Sequence, residues 1–267
     1  MKKRILIIIL IFLSFQHIKA QEVVEVKPIG GDQFLKSFIS QIFEYPADIY
    51  NKQLEGTVSF LFEVDENGAA SNIHNIESFH SDALKETLRI FKLIEWDPAT
   101  RGGKPIRYLK RFTMEYNIKK YDRLVKSRGY QGIRNPFDSI DSSNIVHWYR
   151  HLDYAPYPMK GTQHLNLPAF IASNLKYPEA AIRQNVTGVV KLNFIVETFG
   201  KVSNIQTTQT VGAGCTEEAI RILTMTNWMP GILAGKAVRT RTNISINFQL
   251  DKNGNRFEPV IKSSYGE

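Results

Sequence analysis

The sequence predicts an α+β fold made of two copies of one small domain, each a three-stranded antiparallel sheet with helices packed on one face. A shift of 132 residues lays the second half of the chain on the first without a gap, so that Tyr45 meets Tyr177 and Trp96 meets Trp228. In both copies, stretches that alternate apolar and polar residues flank one stretch with helical spacing. Strands with helices on one side are typical of antiparallel α+β domains.

The repeat divides the chain into five segments. We expect a signal peptide at residues 1–20, a first domain at 33–119, an aromatic-rich interdomain segment at 120–160, a second domain at 161–251 and a polar tail at 252–267. Each repeat spans about 80 residues, which is too long for a solenoid repeat, so each copy should fold around its own core. The interdomain segment is too aromatic for a flexible linker, and we expect it to pack over one domain or to fix the two domains relative to each other.

Each copy is expected to begin with two helices and a β-hairpin. Residues 34–43 and 167–175 are typical of a short helix, and the Tyr-Pro pairs that follow begin a second one, with proline in the favoured first turn. Alternation over residues 56–64 and 188–196 then predicts a strand that ends at a turn. In the first copy this turn contains Asn67-Gly68, a pair that tolerates positive φ angles. Residues 70–79 and 202–211 supply the second strand.

A helix and a long strand complete each copy. Apolar residues recur at helical spacing over residues 84–93 and 219–225, and the helix is expected to end near Trp96 and Trp228, because Pro98 and Pro230 follow. Alternation then continues over residues 106–118 and 238–250. The predicted order in each copy is therefore helix, helix, strand, strand, helix, strand.

The amino-terminal residues indicate export. A basic start, an apolar run at residues 5–15 and a small residue, Ala20, before Gln21 have the layout of a cleaved signal peptide. The apolar run is shorter than the roughly 20 residues that cross a bilayer, so a retained membrane anchor is the second expectation. Cleavage lowers the formal net charge from +8 to about +4, a balance too mild to indicate nucleic-acid binding. We therefore expect an exported, soluble protein whose mature chain starts at Gln21.

Cys215 is the only cysteine, so the chain can form no intramolecular disulfide. The corresponding residue of the first copy is Ala83, which favours a small buried side chain at this position. Two alternatives stay open for Cys215. One is a nucleophile with a lowered pKa at the amino end of a helix, and the other is an intermolecular disulfide.

No pattern in the sequence indicates catalysis. Paired carboxylates, a metal-ligand cluster, a phosphate-binding loop and a nucleophile elbow do not occur at informative spacings. His147 and His151 have helical spacing, but no glutamate lies between them to complete a zinc motif. We expect no enzyme activity, no cofactor and no metal.

A series of motifs runs through the second copy. They are Tyr177-Pro178-Glu179-Ala180-Ala181, Gly188-Val189-Val190, Gly200-Lys201-Val202-Ser203-Asn204-Ile205, Glu218-Ala219-Ile220-Arg221, Trp228-Met229-Pro230 and Gly235-Lys236-Ala237-Val238-Arg239. With these motifs the second copy resembles the TonB C-terminal domain, and the first copy resembles it more loosely. The resemblance implies a periplasmic, non-enzymatic domain that docks on outer-membrane transporters. It also implies that the last strand pairs with an extended transporter segment, as a step in uptake driven by the proton-motive force.

The resemblance implies two partner-binding elements, the last strand and the segment around the Tyr-Pro pair. The last strand would offer a free edge at residues 242–250 to the backbone of a partner. We expect the contacts to come from Asn174, Leu175, Lys176, Tyr177, Thr242, Ile244, Ile246 and Phe248. The apolar strand side chains should face the core, so that only their backbone binds. The second domain is the better candidate, because Asn174 matches the polar residue expected at its position and Ile42 of the first copy does not.

We therefore expect an exported, non-catalytic protein that binds a protein or extended peptide by edge-strand pairing. The partner would be an envelope component, with an outer-membrane TonB-dependent transporter as the first candidate. A membrane-anchored TonB-type energy transducer is the first alternative, although the chain has no long proline-rich spacer. A self-associating structural envelope protein is the second alternative, and a homodimer stays open.

Overall fold

The computed structural model describes residues 22–133, 137, 139–250 and 261–263, the last three by their backbone alone. The predicted signal peptide at 1–20 lies outside these residues. The predicted polar tail at 252–267 also lies outside them, except for residues 261–263, which form a strand.

The first domain is a three-stranded antiparallel sheet with helices on one face. Its elements in chain order are β1 (Val23–Val24), β2 (Lys27–Pro28), α1 (Gly31–Ile42), α2 (Ala47–Asn51), β3 (Gly56–Val64), β4 (Ala70–Ser78), α3 (Ser81–Phe91), β5 (Trp96–Asp97), β6 (Ala99–Arg101), β7 (Lys104–Ile106) and β8 (Tyr108–Tyr116). The sheet order is β4-β3-β8, and the small sheets β1-β6-β7 and β2-β5 accompany it. Alternation turns Phe60 and Phe62 to one face of β3, where the Phe91 ring packs at centroid distances of 5.0 and 4.8 Å.

The interdomain segment contacts both domains. Its elements are α4 (Ile118–Arg128), β9 (Val146–Trp148), a 3₁₀ turn (Tyr149–His151) and β10 (Tyr157–Lys160). α4 packs on the first domain, where the ring of Tyr121 lies 5.5 Å from that of Phe43. Arg128 near its end donates to the carbonyl oxygens of Ser40 and Phe43, both at 2.9 Å. β9 and β10 pair with strands of the second domain.

The second domain repeats this architecture with a larger sheet. Its elements are β11 (Gln163–His164), α5 (Leu167–Asn174), α6 (Glu179–Arg183), β12 (Gly188–Val196), β13 (Val202–Gln209), α7 (Cys215–Thr224), β14 (Asn227–Met229), β15 (Gly231–Leu233), β16 (Lys236–Phe248) and β17 (Ile261–Ser263). The order β13-β12-β16 is the counterpart of β4-β3-β8. β16 also pairs with β15, with β17 and, in parallel, with β9.

A glycine at each hairpin turn lets the hairpin lie against the short strand that carries the tryptophan. The φ angle is +85° at Gly68 and +79° at Gly200, in the left-handed region that favours glycine. A Cβ atom at either position would lie 2.3 Å from the carbonyl oxygen of Trp96 or Trp228, respectively. Turn and tryptophan strand are therefore packed in the same way in both copies.

The predicted α+β class, with two copies of a three-stranded antiparallel core, is confirmed. The helices α3 and α7 end earlier than predicted, at Phe91 and Thr224, and both tryptophans lie in short strands. These strands, β5 and β14, pair with β2 and β10. Because both partners are distant in sequence, local spacing of apolar residues could not reveal them.

Cys215 is the first residue of α7, and its side chain is fully buried, as is that of its counterpart Ala83. Burial, and then the charges of Glu217 and Glu218, raise the pKa of the Cys215 thiol. The alternative of a nucleophile with a lowered pKa is therefore wrong. The prediction of a small buried side chain is confirmed, and a buried thiol is not placed to form an intermolecular disulfide.

Candidate functional site

The outer edge of β16 is filled by strands of the same chain. Arg239 to Arg241 pair with β9, and Ile244 to Ile246 pair with β17. In the described structure, β17 therefore occupies the middle of the expected edge at 242–250, and β9 occupies the three positions just before it. The side chains of Thr242, Ile244, Ile246 and Phe248 are all buried, as expected for residues that face the core.

β8 is the counterpart of β16 in the first domain, and in the described structure it pairs with a neighbour on one side only. Nine consecutive residue pairs join it to β3 without a register shift. The other edge strand of this sheet, β4, has two register shifts against β3 and contains Asn72 in a left-handed conformation, so its edge is irregular. β8 is therefore the regular free edge. Its exposed side chains are Leu109, Arg111, Thr113 and Glu115.

The segment 174–177, before and including the Tyr-Pro tyrosine, is held by α7. The Glu218 carboxylate accepts a hydrogen bond from the Lys176 amide, and Arg221 donates to the Asn174 carbonyl oxygen at 2.8 Å. Leu175 is buried, and Tyr177 is buried with its hydroxyl donating to a backbone carbonyl at 2.7 Å. The side chain of Lys176 is the one member of the four that is exposed.

The first copy contains the same clamp. Glu86 accepts from the Glu44 amide at 3.0 Å, and Arg89 donates to the Ile42 carbonyl oxygen at 2.8 Å. Sequence analysis did not predict this role. The available signal was a glutamate followed three residues later by an arginine, at the same place in both copies.

The two domains meet through a polar contact centred on Asn204, which is buried. Its side chain accepts a hydrogen bond from the Glu95 amide at 2.7 Å and donates to the Leu93 carbonyl oxygen at 2.8 Å. Asn204 has a φ angle of +47°, a conformation that asparagine adopts more readily than most residues. The next residue, Ile205, is also buried, and its carbonyl oxygen lies against Gly30 of the first domain.

A buried ion pair supports this contact from the second domain. Arg239 donates to Glu197 at 2.8 and 2.9 Å and to the Leu93 carbonyl oxygen at 3.0 Å. Glu197 is 0% exposed and also accepts from the Ser203 hydroxyl. Burial alone would lower the pKa of the Arg239 guanidinium, but the charge and hydrogen bonds of Glu197 outweigh burial and raise that pKa. Arg239 therefore stays charged.

A second ion pair completes the contact between the domains, because Arg241 donates to both carboxylate oxygens of Glu95 at 2.6 and 2.7 Å. We call residues 93–95 the docking segment. The docking face consists of Glu197, Ser203, Asn204, Ile205, Arg239 and Arg241. The docking segment lies more than 100 positions away from the docking face in the chain. For this reason sequence analysis named Ser203, Asn204, Ile205 and Arg239 only as motif members and did not predict the contact.

One group of side chains in the described part of the chain has ligand atoms close enough for a cation, namely Asp48, His80 and Asp82. Each has another partner. His80 caps α3 by accepting a hydrogen bond from the Asp82 amide at 3.2 Å, and the two carboxylates pair with Lys52 and Lys85 at 2.9 Å. Helix capping and surface ion pairs account for this cluster.

The structure is thus a duplicated α+β fold with a regular free strand edge at β8 and a polar contact between its two copies. Residues 42–118 and 173–250 match the family described as Gram-negative bacterial TonB protein C-terminal. Because these segments cover more than half of the chain, the protein belongs to this family, in two tandem copies. No curated protein matches the chain.

Members of this family are envelope proteins of Gram-negative bacteria, and the domain is a non-enzymatic interaction domain that generally binds proteins. Within the residues that the structure covers, no helix is long and apolar enough to cross a membrane.

Proposed function

We propose that this protein binds an extended segment of a protein partner in the periplasm, by adding that segment as a strand next to β8. The observation that carries the proposal is the pairing of β8 on one side only, over nine residues in unbroken register. Along such an edge, every second residue directs its backbone amide and carbonyl away from the existing sheet. An extended peptide can satisfy these groups without rearrangement of the domain.

The side chains on β8 supply the selectivity of this edge. Leu109, Arg111, Thr113 and Glu115 are exposed and alternate with the buried residues Phe112 and Met114. A partner strand would place its own side chains beside this row, where apolar and opposite-charge pairs are favourable and like charges are unfavourable. We infer a partner segment that presents an acidic residue opposite Arg111 and an apolar residue near Leu109.

The first domain is thus the stronger candidate for strand addition, rather than the second as the sequence suggested. A partner that pairs along Thr242, Ile244, Ile246 and Phe248 would first have to displace β17, which contributes three residue pairs at Ile244 to Ile246. In the segment 174–177, Lys176 is the residue with an exposed side chain, and Asn174 is half-buried. Partner binding at these residues stays a prediction.

We infer export through a cleaved signal peptide, as the basic and apolar amino-terminal residues indicate. The partner class that the family favours is an outer-membrane TonB-dependent transporter. A membrane-anchored energy transducer is the alternative. The intact mass of the native protein in cell fractions distinguishes the two, since a chain that begins at Met1 in the membrane fraction would overturn export in a cleaved form.

Amide hydrogen exchange with transporter peptides tests strand addition at β8. Peptides that cover the extended periplasmic segments of TonB-dependent transporters serve as probes. Alternate amides of β8 should exchange quickly in the free protein and slowly in the complex. Protection that appears along β16 or β4 instead, or no binding of any segment, would contradict the proposal.

A charge reversal at the edge provides a matched comparison. Arg111→Glu should weaken binding of an acidic peptide by about tenfold, the ordinary effect of removing one favourable charged contact of roughly 1.4 kcal/mol. Lys126→Glu changes the net charge by the same amount on an exposed position of α4 and should leave binding unchanged. Equal losses in both variants would indicate attraction by net charge rather than contact at β8.

A further inference from the structure

The two domains contact each other through different surfaces, although they share one fold. The first domain contributes the docking segment 93–95, and the second domain contributes the docking face around Asn204. A contact of this kind is heterologous, because neither domain uses the same surface as its neighbour. Heterologous contacts that do not close into a ring leave one copy of each surface unused at the two ends.

The unused copy of the docking face lies on the first domain and keeps most of its polar residues. A shift of 132 residues relates Asp65, Ser71, Asn72 and Arg107 to Glu197, Ser203, Asn204 and Arg239. Even the backbone matches, since φ is +51° at Asn72 and +47° at Asn204. This surface is exposed: the Arg107 side chain is 62% exposed, whereas that of Arg239 is 6% exposed.

The same surface exposes large apolar side chains. Ile73 is 39% exposed, whereas its counterpart Ile205 is 1% exposed beneath the first domain. Leu109, which replaces Arg241, is 52% exposed. We call Asp65, Ser71, Asn72, Ile73, Arg107 and Leu109 the free face. Large exposed apolar side chains grouped with polar residues are typical of interaction surfaces.

The unused copy of the docking segment lies on the second domain at residues 225–227, which we call the free segment. Met225 replaces Leu93 and is 47% exposed, and Asn227 replaces Glu95 and is also exposed. The ion pair between Arg241 and Glu95 therefore has a neutral counterpart, with a leucine on the free face and an asparagine on the free segment. These two replacements are complementary. Since Leu109 and Asn227 are both uncharged, a contact between the free face and the free segment would bury no unpaired charge at these positions.

We propose that the free face of one molecule binds the free segment of a second copy of this chain. The contact repeats between molecules the one that joins the two domains within a molecule. It buries Ile73 and Leu109 against Met225, and it directs Asn72 to the backbone of the free segment. Because each molecule carries one free face and one free segment, and the two are different surfaces, the product is a head-to-tail chain of molecules. This proposal does not depend on peptide binding at β8.

Sedimentation velocity of the purified full chain, without peptide, over a wide concentration range tests the proposal. The weight-average mass should rise with concentration and continue past that of a dimer, since each addition leaves a free surface. Ile73→Glu and Leu109→Glu on the free face, and Met225→Glu on the free segment, should each weaken association by at least about tenfold, because each would bury an unpaired carboxylate. All three positions are exposed in the single molecule, so the fold should be unchanged by circular dichroism.

Ile76→Glu is the matched control for these variants. Ile76 is 46% exposed on the same strand as Ile73, and its counterpart, Thr208, is exposed outside the docking face. Association should therefore be unchanged in this variant. An equal loss in Ile76→Glu would assign association to the edge of β4 and overturn the proposal.

Mixing two variants distinguishes a head-to-tail contact from a two-fold one. Ile73→Glu retains its free segment, and Met225→Glu retains its free face. An equimolar mixture should therefore form dimers that neither variant forms alone, and it should form no larger species. A wild-type chain that stays monomeric, variants that associate like wild type, or a mixture that stays monomeric would each overturn the proposal.

Discussion

Replacement of Arg239 by methionine should destabilise the second domain more than any surface substitution of the same kind. Methionine keeps much of the length of the side chain but removes the guanidinium. That group makes two hydrogen bonds to Glu197, one to the Leu93 carbonyl oxygen and one to the Asn144 carbonyl oxygen. After the substitution, the fully buried Glu197 carboxylate would keep, among the described residues, the hydrogen bond from the Ser203 hydroxyl but no positive charge.

The magnitude follows from the burial of this pair. Breaking a buried ion pair by removal of one partner costs about 3–5 kcal/mol, because the remaining charge is neither solvated nor paired. Replacement of both partners removes the uncompensated charge, and such changes are often close to neutral. The double variant Glu197→Gln/Arg239→Met should therefore recover most of the loss.

The assay is urea unfolding followed by circular dichroism and tryptophan fluorescence. Arg107→Met is the matched control, since Arg107 is the counterpart of Arg239 in the first domain. Its side chain is 62% exposed and lies 4.0 Å from Glu63, so its loss should change the free energy of unfolding by at most about 0.5 kcal/mol. If Arg239→Met costs less than about 1 kcal/mol, the range for exposed pairs, the reasoning about this buried pair is refuted.

Three other predictions concern the contact between the domains, the clamp on the segment 174–177 and the buried Tyr45. Asn204→Ala should cost about 1–3 kcal/mol more than Asn72→Ala in urea unfolding, because both alanines occupy a left-handed conformation and only the first removes hydrogen bonds to the other domain; equal costs would contradict this account. Glu218→Gln should weaken the clamp on the segment 174–177, which faster exchange of the Lys176 amide would report; an unchanged exchange rate would count against the clamp. Burial, and then the charge of Glu55, raise the pKa of Tyr45 to about 12, whereas an unfolded tyrosine has a pKa of about 10. The stability contributed by this neutral hydroxyl is therefore complete below pH 10 and is lost as pH rises through 12; Tyr45→Phe should lose less stability than wild type over that range in alkaline titrations, and identical titrations would disprove the assignment.

The contact between the domains makes the two copies of the duplicated domain differ in the surfaces that they expose. Duplication first produces two identical sets of surfaces. One docking face is covered by the neighbouring domain, whereas the other is exposed and has Leu109 where the covered face has Arg241. In the same way, one last strand is flanked by β9 and β17, and the other has a free edge. The two copies therefore offer different surfaces to partners.

The sequence predicted the local elements well, and the reason is physical. Alternation over residues 56–64 and 188–196 depends on neighbours in the chain, and β3 and β12 occupy those residues. The turn at Asn67-Gly68 requires a positive φ angle, which Gly68 has in the structure. Periodicity, turn chemistry and the repeat were together sufficient for the α+β class and for two domains.

The candidate site was predicted less well, because its accessibility depends on pairing between distant residues. The motifs led to Thr242, Ile244, Ile246 and Phe248 as a free edge, but β17 pairs with Ile244 to Ile246 and β9 pairs with the three residues Arg239 to Arg241 just before that edge. The clamp on the Tyr-Pro segment was visible only as a repeated glutamate and arginine. The role of this glutamate and arginine became clear only from the backbone groups to which their side chains hydrogen-bond.

By itself, the sequence determined that this protein is a tandem duplication of an α+β domain of the TonB C-terminal family. Local periodicity of apolar residues and a constant shift of 132 residues are sufficient for these conclusions, because both can be read without the structure. The tertiary structure alone decided which edge is free, which docking face is covered and which arginine is buried. These outcomes depend on contacts between residues more than 100 positions apart. The sequence pattern within one copy does not predict such contacts.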